Sequence, residues 1–240
     1  MVETALGTVE YSIRGKAPYL LALHGSPGLH DGVVGLFTPW LEQGFGVIAP
    51  SRPGYGRTTS KKTYSGQADL FAALLDTLKV KKVVVYGISG GGPPAIEFAV
   101  RHKSRTHALL TQVACTGGLK HRGVEDMKSS ITRFIMTSPL FPFLLTKLSP
   151  AKIISGLLKE MSTFSTEEKA KVVEEIVADP RRMKLMPLLR EASCIMPAYP
   201  HIYDTVARET HMIAWTLPLE KVEVPTLIAH GTADGDVPYW

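Results

Sequence analysis

Lys82-Val83-Val84-Val85-Tyr86 is a short, mostly β-branched run that stops abruptly at Gly87-Ile88-Ser89-Gly90-Gly91-Gly92. Few folds accommodate this. The run reads as a strand buried on both faces of a parallel sheet. The glycines two before and two after Ser89 leave room for a sharp, strained turn into a helix. Pro93 and Pro94 then fall in the first helical turn, where a missing N–H costs nothing. Such a turn lifts the Ser89 hydroxyl above the sheet edge and sets it at a helix N-terminus, where the dipole favours developing negative charge.

Similar runs recur. Tyr19–Leu23 leads into His24-Gly25, Phe45–Ala49 closes at Pro50, and Ala108–Val113 follows the serine turn. Between the second and third runs, Leu70, Phe71, Leu74, Leu75 and Leu78 share one face of a helix over Gln67–Leu78. Strand and helix alternate, so the expected class is α/β, a doubly wound, mostly parallel sheet. From His121 to Trp215 only helical patterns occur, broken by prolines. Ser165 and Glu168 fit a capping box, and Asp179-Pro180 opens another helix. The strand pattern resumes over Val224–Ala229. Residues 1–120 and 216–240 are therefore expected to form the sheet domain, and 121–215 an all-helical insertion.

Two further segments carry chemistry. His24-Gly25-Ser26-Pro27-Gly28 directly follows a strand. Acyl transfer develops an oxyanion that needs two donors, and the backbone N–H groups of Ser26 and Gly90 are suited to supply them. His24 is expected to brace that turn. At the end of the last strand lies His230-Gly231-Thr232-Ala233-Asp234. A serine nucleophile needs a histidine base oriented by a carboxylate; Asp234 is the better acid, and Asp236 reads as a turn former.

Taken in order, H-G-x-P-G at 24–28, R-P-G-Y-G at 52–56, the serine turn at 87–91 and H-G-x-x-D at 230–234 resemble the α/β-hydrolase superfamily over essentially the whole chain. The similarity is greatest to its esterase, proline-iminopeptidase and C–C-hydrolase branch, which implies a helical cap over 121–215. Ser51 stands where such proteins commonly carry aspartate. The resemblance also implies the order serine, acid, histidine, yet all eight histidines precede Asp234. Three explanations stay open: a truncated chain lacking the last strand, helix and base; recruitment of His30 or His201; or a short form that binds without turnover. A missing strand would leave a sheet edge open to self-association.

The remaining readings narrow the function. The net charge is +5 in 240 residues, but the basic residues are scattered, so no nucleic-acid partner is expected. No run of 18 apolar residues suggests membrane insertion, and no signal peptide begins the chain. Cys115 and Cys194 read as free thiols in a reducing cytoplasm. No metal-ligand spacing, phosphate loop or dinucleotide fingerprint occurs, so no cofactor is expected. The apolar stretch 131–148, with Met161, Met183, Met186 and Met196, suits an apolar acyl or alkyl pocket. No carboxylate pair announces a peptide amino terminus. The expected function is thus hydrolysis of small carboxylic esters with an apolar moiety, through Ser89. The alternatives are a non-catalytic ligand-binding relative and a proline-iminopeptidase-like exopeptidase.

Overall fold

The computed structural model describes residues 1–116, 149–184, 186–187, 201–202, 204–206, 209, 217–235 and 237. The apolar stretch 131–148, Cys194, Met196 and Asp236 lie outside them.

Six strands form one sheet in the order β3-β5-β4-β6-β7-β8. They are β3 (Tyr11–Arg14), β4 (Tyr19–Leu23), β5 (Gly46–Pro50), β6 (Val83–Ile88), β7 (Thr106–Gln112) and β8 (Thr226–Ala229). From β5 to β8 every pairing is parallel, while β3 runs antiparallel to β5. A separate antiparallel pair, β1 (Val2–Thr4) and β2 (Gly7–Val9), precedes them. These three N-terminal strands escape sequence reasoning because they are only three or four residues long and have no continuous apolar run. The parallel strands are legible because burial on both faces demands apolar side chains throughout: Leu20, Leu21, Ala22 and Leu23 are fully buried.

Helices cover the sheet. These are α1 (His30–Leu36), α2 (Thr38–Glu42), α3 (Tyr64–Thr77) and α4 (Gly92–Arg101). Thr63 caps α3 by accepting the Gly66 N–H at 3.0 Å, so the helix starts at Tyr64, three residues before the start read from periodicity. Leu70, Phe71, Leu74 and Leu75 of α3 are fully buried, as is Phe98 of α4, and the two helices pack together. Each such side chain contributes about 1.5–3 kcal/mol of burial. On the far side, β8 pairs with β7 but its four residues are exposed, Leu227 and Ile228 by 63% and 68%. Of the run over Val224–Ala229, Thr226–Ala229 is thus a strand, and it lies at the edge of the sheet.

Contacts divide the chain into two compact units, 1–119 with 201–229 and 120–200 with 230–240. These limits differ from the expected insertion over 121–215: residues 201–215 group with the sheet. Glu209 supplies one reason, because its carboxylate pairs with Arg52 beside the strands. The second unit contains α5 (Pro150–Met161), α6 (Thr166–Ala178) and α7 (Pro180–Met183). Ser165 and Glu168 form the capping box that opens α6, and the Asp179 side chain caps α7 ahead of Pro180.

Candidate active site

Strand β6 ends at Ile88, a 3-10 turn spans Ser89–Gly91, and α4 begins at Gly92. Ser89 has φ +49°, in the left-handed region that costs a side-chain-bearing residue about 1–2 kcal/mol. The surrounding turn enforces it. A Cβ at Gly91 would overlap the carbonyl oxygens of Leu23 and His24, so the backbone passes β4 at a distance only glycine allows. Pro93 and Pro94 occupy the start of α4 as their missing donors permit. Ser89 is half-buried, its carbonyl accepts the Cys115 N–H at 3.2 Å, and its Oγ lies 3.9 Å from the buried Cys115 Sγ.

The 24–28 turn sits directly against this serine. A Cβ at Gly25 would lie 3.3 Å from Ser89 Cβ, and one at Gly90 would collide with Ser26 Oγ. The structure therefore brings together Ser26, Ser89 and Gly90. Gly90 lies in the first turn after the strand, where N–H groups lack intrahelical acceptors. Among the described residues, the Ser26 N–H also donates no hydrogen bond.

Beneath the turn lies a buried polar cluster that sequence reasoning did not find. Arg52 is fully buried, and the Glu209 side chain is 5% exposed. Arg52 Nη1 donates to Glu209 Oε1 at 2.5 Å and Nη2 to Oε2 at 3.1 Å. Nη2 also donates to Ser26 Oγ at 2.6 Å and to the Gly25 carbonyl at 3.3 Å. Ser26 Oγ and Tyr55 Oη each donate to Glu209 Oε2 at 2.6 Å. The guanidinium also lies 4.8 Å from the Tyr55 ring centroid. Burial alone would lower the Arg52 pKa, but the Glu209 carboxylate together with Tyr55 and Tyr64 outweighs it and holds the guanidinium charged beyond the usual arginine range. Burial, then the same carboxylate, pushes the Tyr55 phenol well above its ordinary value.

His24 braces this arrangement. Its Nε2 accepts the Arg52 backbone N–H at 2.8 Å, so Nδ1 carries the proton and donates to the Gly25 carbonyl at 2.7 Å. Both nitrogens are used. Burial, reinforced by the Arg52 charge, drives its pKa well below the usual histidine value, so the ring is neutral. His24 holds the turn's shape rather than a catalytic proton.

Asp234 belongs to the second unit. Its Oδ1 accepts the Val237 N–H at 2.8 Å, and Oδ2 lies 3.8 Å from His230 Nε2, which donates to the Val237 carbonyl at 2.6 Å. Its own loop therefore orients the carboxylate. Of the other histidines, His30 Nδ1 lies 2.8 Å from both Ser12 Oγ and Asp31 Oδ1. His201 Nε2 donates to the Gly56 carbonyl at 3.1 Å. Among the described residues, no three His, Cys, Asp or Glu side chains cluster as metal ligands.

Comparison with known proteins identifies the family. The sequence model described as the alpha/beta hydrolase fold matches residues 18–150. YcgS of Bacillus subtilis, an uncharacterized hydrolase, is 40% identical over 112 residues, 46% of this chain but only 39% of that protein. A bifunctional esterase/perhydrolase of Acinetobacter calcoaceticus is 26% identical over 243 residues, covering 93% of this chain and 76% of that one. Among solved structures, an alpha/beta hydrolase fold protein from Nakamurella multipartita superposes with a TM-score of 0.82 at 30% identity, over 99% of this chain and 82% of that one. The family match runs from β4 and the 24–28 turn through the Ser89 elbow, the segments whose geometry is described above, and the chain belongs to the α/β-hydrolase fold family.

Proposed function

We propose that this chain carries the nucleophile, the oxyanion donors and the acid of a serine hydrolase acting on carboxylic esters with an apolar acyl or alkyl group. One observation carries the reading: Ser89 is held at φ +49° at the end of β6, against the turn that contains Ser26. Backbone strain of this kind persists only where the surroundings over-determine it, and it clusters at reacting groups.

In this reading Ser89 Oγ attacks the ester carbonyl and gives its proton to a histidine base. The carbonyl oxygen takes up the negative charge and accepts the N–H groups of Ser26 and Gly90. Collapse of the tetrahedral intermediate breaks the bond to the alkoxy oxygen, which leaves with that proton as the alcohol. Water, activated by the same base, then hydrolyses the acyl-serine. Asp234 orients the base. The family order puts that histidine after Asp234, and the eight histidines of this sequence precede it. The choice of esters draws on the similarity to the Acinetobacter esterase/perhydrolase.

The substrate class is tested by offering the full-length gene product p-nitrophenyl butyrate and aminoacyl p-nitroanilides side by side. Saturable ester hydrolysis that disappears in Ser89→Ala is expected, with little turnover of the anilides. Faster cleavage of the anilides than of the ester would transfer the activity to the exopeptidase class.

A further inference from the structure

We propose that Glu209 is a positioning residue, whose carboxylate fixes the 24–28 turn against Ser89 through Arg52 and the Ser26 hydroxyl. The kinetic part of this inference rests on the ester-hydrolase reading above; the structural part does not.

The geometry is specific. Glu209 Oε2 accepts from three groups at once: Ser26 Oγ, Tyr55 Oη and Arg52 Nη2. One of these partners also holds the turn, since Arg52 Nη2 reaches both Ser26 Oγ and the Gly25 carbonyl. The Arg52 backbone N–H binds His24 at the turn's first residue. Glu209 thus fastens Ser26 directly through its hydroxyl and Gly25 indirectly through the guanidinium. The same Ser26 and Arg52 side chains are the ones a Cβ at Gly90 would meet. The side chains that Glu209 holds therefore lie directly against the Gly90 backbone as well as in the 24–28 turn. A generic structural ion pair would need none of these contacts to Ser26 and Gly25.

An oxyanion hole works only if its donors are fixed before charge develops. A buried ion pair, by contrast, is often replaceable by apolar residues at little cost in stability, whereas removing one partner alone strands a charge. These two facts separate positioning from stability. The test is the double variant Arg52→Met/Glu209→Met of the full-length gene product, beside Glu209→Gln and wild type. The double variant is expected to fold, with its melting temperature close to wild type. Its kcat on p-nitrophenyl butyrate should fall about 100-fold, the scale of a lost oxyanion donor. KM should stay within about threefold, as for an interaction made only in the transition state. Amide hydrogen exchange of the turn, read at the position-52 N–H that donates to His24 Nε2, should accelerate roughly tenfold or more while β4 and β6 stay protected.

Unchanged exchange in the turn overturns the inference, and so does an active double variant with wild-type kcat. If wild type shows no Ser89-dependent hydrolysis, the ester reading fails, and exchange alone decides the role of Glu209. Should the double variant not fold, Glu209→Gln takes its place: unchanged turn exchange there overturns the inference, and accelerated exchange confined to the turn upholds it.

Discussion

Replacing Ser89 by alanine is expected to lower kcat on p-nitrophenyl butyrate about a millionfold, because nucleophile, base and acid act as a unit. The loss should be nearly all chemical. Alanine at φ +49° meets much the same backbone cost as serine, and among the described residues the polar contact of Ser89 Oγ is a weak one, at 3.9 Å to Cys115 Sγ. The melting temperature should therefore shift by only a few degrees, and KM little. Initial rates beside thermal unfolding of the same preparation check both halves. Residual activity within tenfold of wild type would remove Ser89 from the chemistry.

The largest expected loss of stability lies at Arg52. Arg52→Ala leaves the Glu209 carboxylate buried with, among the described residues, the Tyr55 and Ser26 hydroxyls to satisfy it. Breaking a buried pair from one side costs about 3–5 kcal/mol. For a chain of this size each kcal/mol moves the melting temperature by roughly 2–4 °C, so a fall of about 6–20 °C is expected. The Arg101–Asp69 pair gives the contrast. It is also bidentate, at 3.1 and 2.7 Å, but its side chains are 42% and 32% exposed. Water screens it, and Arg101→Ala should cost about 1 kcal/mol or less. Thermal unfolding of both variants compares them directly; equal shifts would contradict the account of the buried cluster.

What the sequence made legible is local. The strand at 83–88, the glycines around Ser89 and the two prolines after them lie within a dozen residues, and each is dictated by its immediate neighbours. The same holds for the Ser165–Glu168 capping box, three residues apart. Strand β4 is read with its bounds intact because burial on both faces leaves no polar residue in it. Arg52 was visible only as part of a turn motif. Glu209 carried no signal at all: it sits between Arg208 and Thr210 in a polar stretch and meets Arg52 across 157 positions. Only the fold supplies that pairing. Asp234 is intermediate, since its turn is local and legible while its role depends on a distant partner. The N-terminal strands illustrate a further limit: pairing with β5 makes Tyr11–Arg14 a strand, and its own sequence gives little sign of it.

The central claim is that Ser89 is an activated nucleophile. The most direct measurement is reaction of the full-length gene product with a fluorophosphonate, followed by tryptic digestion and mass spectrometry. The account predicts one adduct per chain, on Ser89 within the Val83–Arg101 peptide, and none in Ser89→Ala. A folded wild-type protein that takes up no label, or takes it up at another residue, would contradict it.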